Sequence, residues 1–272
     1  MSTQPEYVLG THAAELQRLG FQHRLWADAA HAAWKRAGIR PGHRVLDVGC
    51  GPGFASLDLA EFVGPSGRVV GIDESSGFVQ AAVDSAKARG LAQFSGRVAN
   101  ALEIGTLSDL SPFDLAYARW VLCFVADPEA VVAGLFERLS PGGRLVVHDY
   151  FNYATMTLAP PRASYSLVVR ATARSWRQRG GDPDVVGRLP GMLQRQGFTL
   201  EYMEVHARFA FPGETMFLWG ASWWRNYVPR LLEMGEITLS ESEAFMRDLA
   251  EVEASSTEFM VLPPVWELIA RR

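Results

Sequence analysis

Apolar and polar positions follow two rhythms along this chain, and the change between them marks its architecture. Over residues 11–37 the pattern is helical, with Leu16, Leu19, His23, Trp26, Ala30 and Trp34 on one side. This predicts an N-terminal helix that Gly20 breaks or bends. Pro41-Gly42 then punctuates the entry to a short apolar strand, after which strand and helix signals alternate as far as Asp149. Further strands are expected over 68–73, 96–99, 114–118 and 144–149. Such alternation predicts an α/β fold with a parallel sheet, because right-handed crossovers put helices on both faces.

Beyond Tyr150 the alternation lapses. Residues 151–161 are aromatic and proline-rich, a helix follows, and another helix over 184–196 leads into a sixth strand over 198–209. A helical stretch over 211–257 precedes a final strand at 259–270, reached by a hairpin-like return. Within that stretch Pro229 should end or kink the first helix near Val228, and Ser240 with Glu243 forms a capping box for the second.

The chemistry is densest at Val45-Leu46-Asp47-Val48-Gly49-Cys50-Gly51-Pro52-Gly53, a strand that runs into three glycines. Without Cβ atoms at Gly49, Gly51 and Gly53 the turn can take positive φ and backbone N–H groups can approach a ligand. The helix beginning near Phe54 adds its positive end. A second strand ends in Asp73, about 20 residues past the last glycine, where a carboxylate can accept both hydroxyls of a ribose.

Four segments in order, VLDVGCGPG, VVGIDES, FDLAYARWVLCFVADP and LSPGGRLVVHDY, resemble the class I S-adenosylmethionine-dependent methyltransferases, of the small-molecule, UbiE-like type. The resemblance implies a Rossmann-like three-layer sandwich. Its mostly parallel seven-stranded sheet would have an antiparallel last strand, with an N-terminal helical lid and a helical insertion added. It divides the chain into a lid, 1–40, and a methyltransferase domain, 41–272, whose core at 41–150 binds the cofactor and whose insertion at 213–256 covers the substrate. By the same resemblance Gly49, Cys50, Gly51 and Gly53 line the methionine part of S-adenosylmethionine, Asp47 supports its amino group or the loop, Asp73 holds the ribose, and Glu74 belongs to the cofactor site. Asn100, Ala101 and Leu102 edge the adenine, Asn100 standing where the family often has an acid. Tyr7 is a lid residue near the cofactor, and Arg119 points toward the cofactor or the reaction centre.

Three residues are candidates for catalysis. His23 is the foremost general base, since an unperturbed imidazole titrates near working pH, although a satisfied core histidine is its other reading. Arg119 would orient His23 or the substrate, and His148, beside Asp149 at the end of the fifth strand, could reach the open methyl face. The aromatic residues Tyr150, Phe151, Tyr153, Tyr165, Phe217, Trp219, Trp223, Trp224 and Tyr227 suggest walls for a flat or greasy acceptor, or else core packing or a subunit seam. The expected function is methyl transfer to a small aromatic or apolar metabolite. The alternative is a non-catalytic S-adenosylmethionine-binding or scaffold protein.

Composition narrows this further. A chain of 272 residues with 48% hydrophobic content can bury a large core. Its formal net charge of -4 gathers no phosphate backbone, so no nucleic acid is expected, and Arg170, Arg174 and Arg177 read as a solvated helix face. No apolar run is long enough to span a bilayer and the first residues lack an export pattern, so a cytoplasmic location is expected. Two cysteines, Cys50 and Cys123, suggest neither a disulfide framework nor a metal site, so no metal is expected; a homodimer is left open.

Overall fold

The computed structural model describes residues 13–107, 110 and 112–272. Strand β1 (Arg44–Val48) lies between β2 (Arg68–Asp73) and β4 (Phe113–Arg119), with β3 (Phe94–Val98) outside β2 and β5 (Leu139–Tyr150) outside β4, all parallel. Further along the chain, β7 (Thr199–His206) and β10 (Val265–Arg271) complete a seven-stranded sheet in the order β3-β2-β1-β4-β5-β10-β7. Strand β10 runs antiparallel to both neighbours, so the expected mixed sheet with an antiparallel last strand is present.

Burial on both faces explains why the central strands β1, β2 and β4 read as near-continuous apolar runs. On one face Val45, Leu115, Tyr117, Val146 and Ile269 pack with Ala30, Ala33 and Trp34 of α1 (Ala13–Arg36), together with α2 (Phe54–Val63) and α3 (Ser76–Ala88). On the other, Leu46, Val48, Ala116, Ala118, Leu145 and Val147 pack with Val131, Val132 and Leu135 of α4 (Pro128–Arg138) and with Met192 and Leu193 of α6 (Leu189–Gln196). Helix α5 (Ala163–Gln178) buries Tyr165, Val169, Thr172 and Trp176 and exposes Arg170, Arg174 and Arg177, the solvated face expected. It packs with α7 (Thr215–Glu233) and α8 (Leu239–Glu253).

Several local expectations are corrected. Helix α1 runs through Gly20 unbroken; a Cβ there would lie 3.0 Å from the Phe54 ring, so this glycine allows close packing against α2. Helix α7 also continues past Pro229, because Trp224, Tyr227, Val228 and Leu231 tie both halves into one core, which outweighs the lost hydrogen bond. The segment 184–196 divides into a 3₁₀ turn, Val185–Gly187, and α6, with Pro190 in the first turn where its missing N–H costs little.

The capping box is Thr238 with Glu241, two residues before the expected pair. The Thr238 hydroxyl accepts from Glu241 N at 3.3 Å and the Glu241 carboxylate accepts from Thr238 N at 2.7 Å, leaving Ser240 inside α8. The final segment, 259–270, is likewise two strands. Pro263 and Pro264 have no N–H for a ladder, so β9 (Phe259–Val261) leaves the main sheet and pairs with β6 (Thr157–Ala159) and β8 (Phe209–Ala210) in a small antiparallel sheet.

Thr238→Ala is expected to destabilise the fold by about 1 kcal/mol in chemical denaturation, whereas Ser240→Ala should stay within about 0.5 kcal/mol of the parent.

Candidate functional site

Strand order reverses between β1 and β4, and the carboxyl ends on either side of that switch form the rim where open α/β sheets take ligands. The three glycines of the β1–α2 loop all have positive φ, yet they serve different ends. A Cβ on Gly49 would fall 2.5 Å from Val121 Cγ2, and one on Gly53 would fall 2.5 Å from Ala82 Cβ, so these two let the loop close against its neighbours. Around Gly51 nothing lies within 4 Å of that position, so its missing side chain leaves a cradle open.

Asp73 faces this cradle from β2. Its carboxylate accepts from Gly51 N and from Ser75 N, each at 2.9 Å, so both oxygens are oriented while each keeps a lone pair. Burial pushes its pKa up, and the two N–H bonds oppose that rise. Glu74, beside it, is exposed. At the end of β3, Asn100 caps a 3₁₀ helix (Ala101–Thr106) by accepting from Leu102 N at 2.9 Å, so its side chain serves the turn first. Val98 and Leu102 are exposed on either side of it, an apolar edge beside Asp73, while Ala101 is partly buried. Tyr7 lies outside the described residues.

Beneath the loop Asp47 is buried, and its carboxylate accepts a 2.5 Å hydrogen bond from Ser56, a partner that sequence spacing did not reveal. Desolvation raises its pKa to about 7 against the pull of Ser56 and of the Arg119 charge, with Asp73 adding to the rise. Cys50 is buried and its thiol is pushed well up by burial, which disfavours the thiolate and leaves the backbone N–H and C=O as the groups it presents in the loop.

Arg119 and His23 do come together. Arg119 Nη2 donates to His23 Nδ1 at 3.1 Å, and His23 Nε2 lies 3.0 Å from Asp58 Oδ2, which also holds His31 at 2.7 Å. Because Arg119 only donates, Nδ1 must be the unprotonated nitrogen and Nε2–H the donor to Asp58. Burial lowers the His23 pKa, the Asp58 hydrogen bond resisting and the Arg119 charge reinforcing. Both nitrogens are thus engaged, and His23 has no free lone pair for a substrate proton. Its geometry is that of a group holding Arg119 in place. The next residue, Trp120, takes φ 53°, a strained conformation for a bulky side chain and one that concentrates at functional sites.

The expectation that His148 reaches the open face is corrected. Its ring is buried, with Nδ1 3.2 Å from the Tyr117 hydroxyl and Nε2 3.5 Å from Glu267, packed against the α1 side of the sheet. Asp149 points the other way and accepts from Cys123 N at 3.1 Å and Tyr150 N at 2.9 Å, fixing the loop after β4.

The family model described as a methyltransferase domain matches residues 39–177, just over half of the 272-residue chain. The chain belongs to the class I S-adenosylmethionine-dependent methyltransferases. Among similar proteins, the ubiquinone/menaquinone biosynthesis C-methyltransferase UbiE of Vibrio parahaemolyticus is 30% identical over 192 residues, covering 64% of this chain and 73% of that one. An uncharacterised 37.1 kDa protein of transposon TN4556 from Streptomyces fradiae is 41% identical over 114 residues, covering 40% of this chain and only 31% of its own length. The solved YcgJ protein of Bacillus subtilis shares the fold at a TM-score of 0.60 with 15% identity, covering 90% of this chain and 98% of its own.

The residues of this methyltransferase fit the cofactor its family uses. The open cradle at Gly51 accommodates an approaching backbone-bound group, the anchored Asp73 offers two acceptor positions for a ribose, and the Val98–Leu102 edge suits an adenine face. Asp47 places a buried acid below the loop, where a cationic amino acid moiety would restore its charge.

Two outcomes are expected. Asp73→Ala should cost at least about 1 kcal/mol of S-adenosylmethionine affinity in calorimetry, roughly a fivefold rise in Kd. The raised Asp47 pKa gives a pH dependence whose sign differs between fold and ligand. Protonated Asp47 favours the fold at low pH, a contribution lost as pH rises through about 7. A cationic ligand favours the carboxylate, so affinity should climb as pH increases toward about 7 and then level. Asp47→Asn should flatten that profile.

Proposed function

We propose that this methyltransferase transfers the methyl group of S-adenosylmethionine to a small, aromatic or apolar acceptor. The observation that carries the reading is the aromatic wall beside Arg119. Trp120 stacks on Tyr150 at 6.0 Å and on Trp219 at 6.1 Å, with Trp26 edge-on at 5.7 Å. The Trp120 indole Nε1 is buried and has no partner among the described residues, which leaves a donor for an acceptor's oxygen. A planar molecule with one oxygen suits such a surface better than a phosphate-rich polymer does.

Two elements cover this wall. From α1, Gln22 accepts from Trp219 Nε1 of α7 at 3.0 Å and from Arg18 at 3.1 Å, and the Arg18 guanidinium lies 5.7 Å from the Trp223 ring. The N-terminal half of α1 and the helical insertion thus meet above the rim and, in this reading, form the lid and substrate cover. The similarity to UbiE, named for C-methylation in quinone biosynthesis, supports an acceptor of this class.

S-adenosylmethionine supplies an activated methyl, so the protein's task is to position the acceptor and exclude water. Trp120 and its neighbours orient a flat acceptor, and Arg119, held by His23 and Asp58, fixes an acceptor oxygen. Purified protein with S-adenosylmethionine and a panel of phenols and quinols should release S-adenosylhomocysteine. Trp219→Ala should raise the acceptor KM roughly tenfold, the equivalent of about 1.4 kcal/mol, and leave cofactor affinity unchanged. Tight cofactor binding with no turnover across the panel would favour a binding or scaffold role instead.

A further inference from the structure

Strand pairing assembles a second group of chemical side chains away from the cofactor rim. His148 on β5 stands in register with Glu267 on β10, and His206 on β7 pairs with Val265, two residues before Glu267 and on the same face of β10, so the three side chains meet across three adjacent strands. One donor atom from each lies within 4.8 Å of the others. Glu267 Oε2 sits 3.2 Å from His206 Nε2 and 3.5 Å from His148 Nε2. These separations approach the edges of a tetrahedron of ligands about 2.0–2.2 Å from a common centre.

The second observation is an unsatisfied atom. His148 is 2% exposed, yet among the described residues its Nε2 makes no well-formed hydrogen bond, with Glu267 Oε2 at 3.5 Å, while its Nδ1 is occupied by the Tyr117 hydroxyl. A buried imidazole nitrogen left without a partner and aimed at a carboxylate and a second imidazole is costly unless something fills the gap. In the tautomer whose Nδ1–H donates to the Tyr117 hydroxyl, the Nε2 lone pair faces the cluster, the orientation that an outer hydrogen bond gives to metal-ligating histidines.

We infer that His148, His206 and Glu267 form a binding site for a divalent transition-metal ion of the zinc class, with one coordination position left to solvent. Two imidazoles and a carboxylate suit zinc or cobalt, not the hard, all-oxygen preference of calcium or magnesium. Arg36 pairs with Glu267 through Oε1 and stacks on Tyr202 at 4.0 Å, so the carboxylate has only Oε2 to offer and binds through one oxygen. The partly exposed His206 provides entry from solvent. Bound metal fastens the edge strand β7 through β10 to β5.

The test uses the full chain without an affinity tag, stripped with chelator. Zinc titrated in calorimetry should bind one ion per chain, cobalt should give the visible absorption of a four-coordinate site, and stoichiometric zinc should raise the thermal midpoint. His206→Asn, a change at the partly exposed position, should weaken zinc by at least about tenfold and abolish both the cobalt spectrum and the thermal shift. Glu267→Gln should do the same, and His43→Asn, at the opposite end of the strands, should change none of the three. Absence of stoichiometric binding to the parent chain, or binding undiminished in His206→Asn, would overturn the assignment.

Discussion

The hydrogen bond from the Gly51 amide to the Asp73 carboxylate is the contact on which the rim depends. It joins the loop after β1 to the end of β2, so the glycine turn and the acid hold one fixed spacing. Parallel register brings the two strand ends level, since Val48 pairs with Ile72, and Cys50 N reaches back to the Ile72 carbonyl at 2.9 Å. Ser75 N secures the second carboxylate oxygen. With its oxygens aimed before any ligand arrives, Asp73 has little left to reorganise on binding, which is the general advantage of preorganised polar groups.

Across the switch point the constraint is different in kind. Arg119 ends β4 beside a strained Trp120, whose N–H is held by the His148 carbonyl at 2.8 Å. The guanidinium lies between aromatic rings and the His23–Asp58–His31 group, where His23 stands between it and the Asp58 carboxylate. A direct ion pair would leave Arg119 saturated; an imidazole in between leaves guanidinium N–H capacity, and Arg119 Nη1 is buried with no hydrogen-bond partner among the described residues. The same α1 helix carries Trp34 into the core and His23 to the rim, so packing and site geometry are set by one element.

Much of the site was legible because its residues belong to local motifs. The glycine loop, Asp47, Asp73 and the strand-end Arg119 follow one another in the order that a strand–turn–helix unit imposes, and each turn type demands its residue. What went wrong locally was also local: Thr238 and Ser240 both satisfy the capping pattern, and Gly20 and Pro229 carry intrinsic penalties that buried neighbours override. The small sheet of β6, β8 and β9 escaped notice because two- and three-residue strands have no measurable period.

From its sequence alone this chain determines a mostly parallel α/β sheet, the glycine loop after its first strand and the acid at the end of its second, because periodicity and turn chemistry act over a few neighbouring residues. Only the tertiary structure decided that His23 holds Arg119 against Asp58, that His148 turns inward, and that it meets His206 and Glu267. Those contacts join residues far apart in the chain, and they exist only where strand order, register and helix packing bring separate segments to the same point.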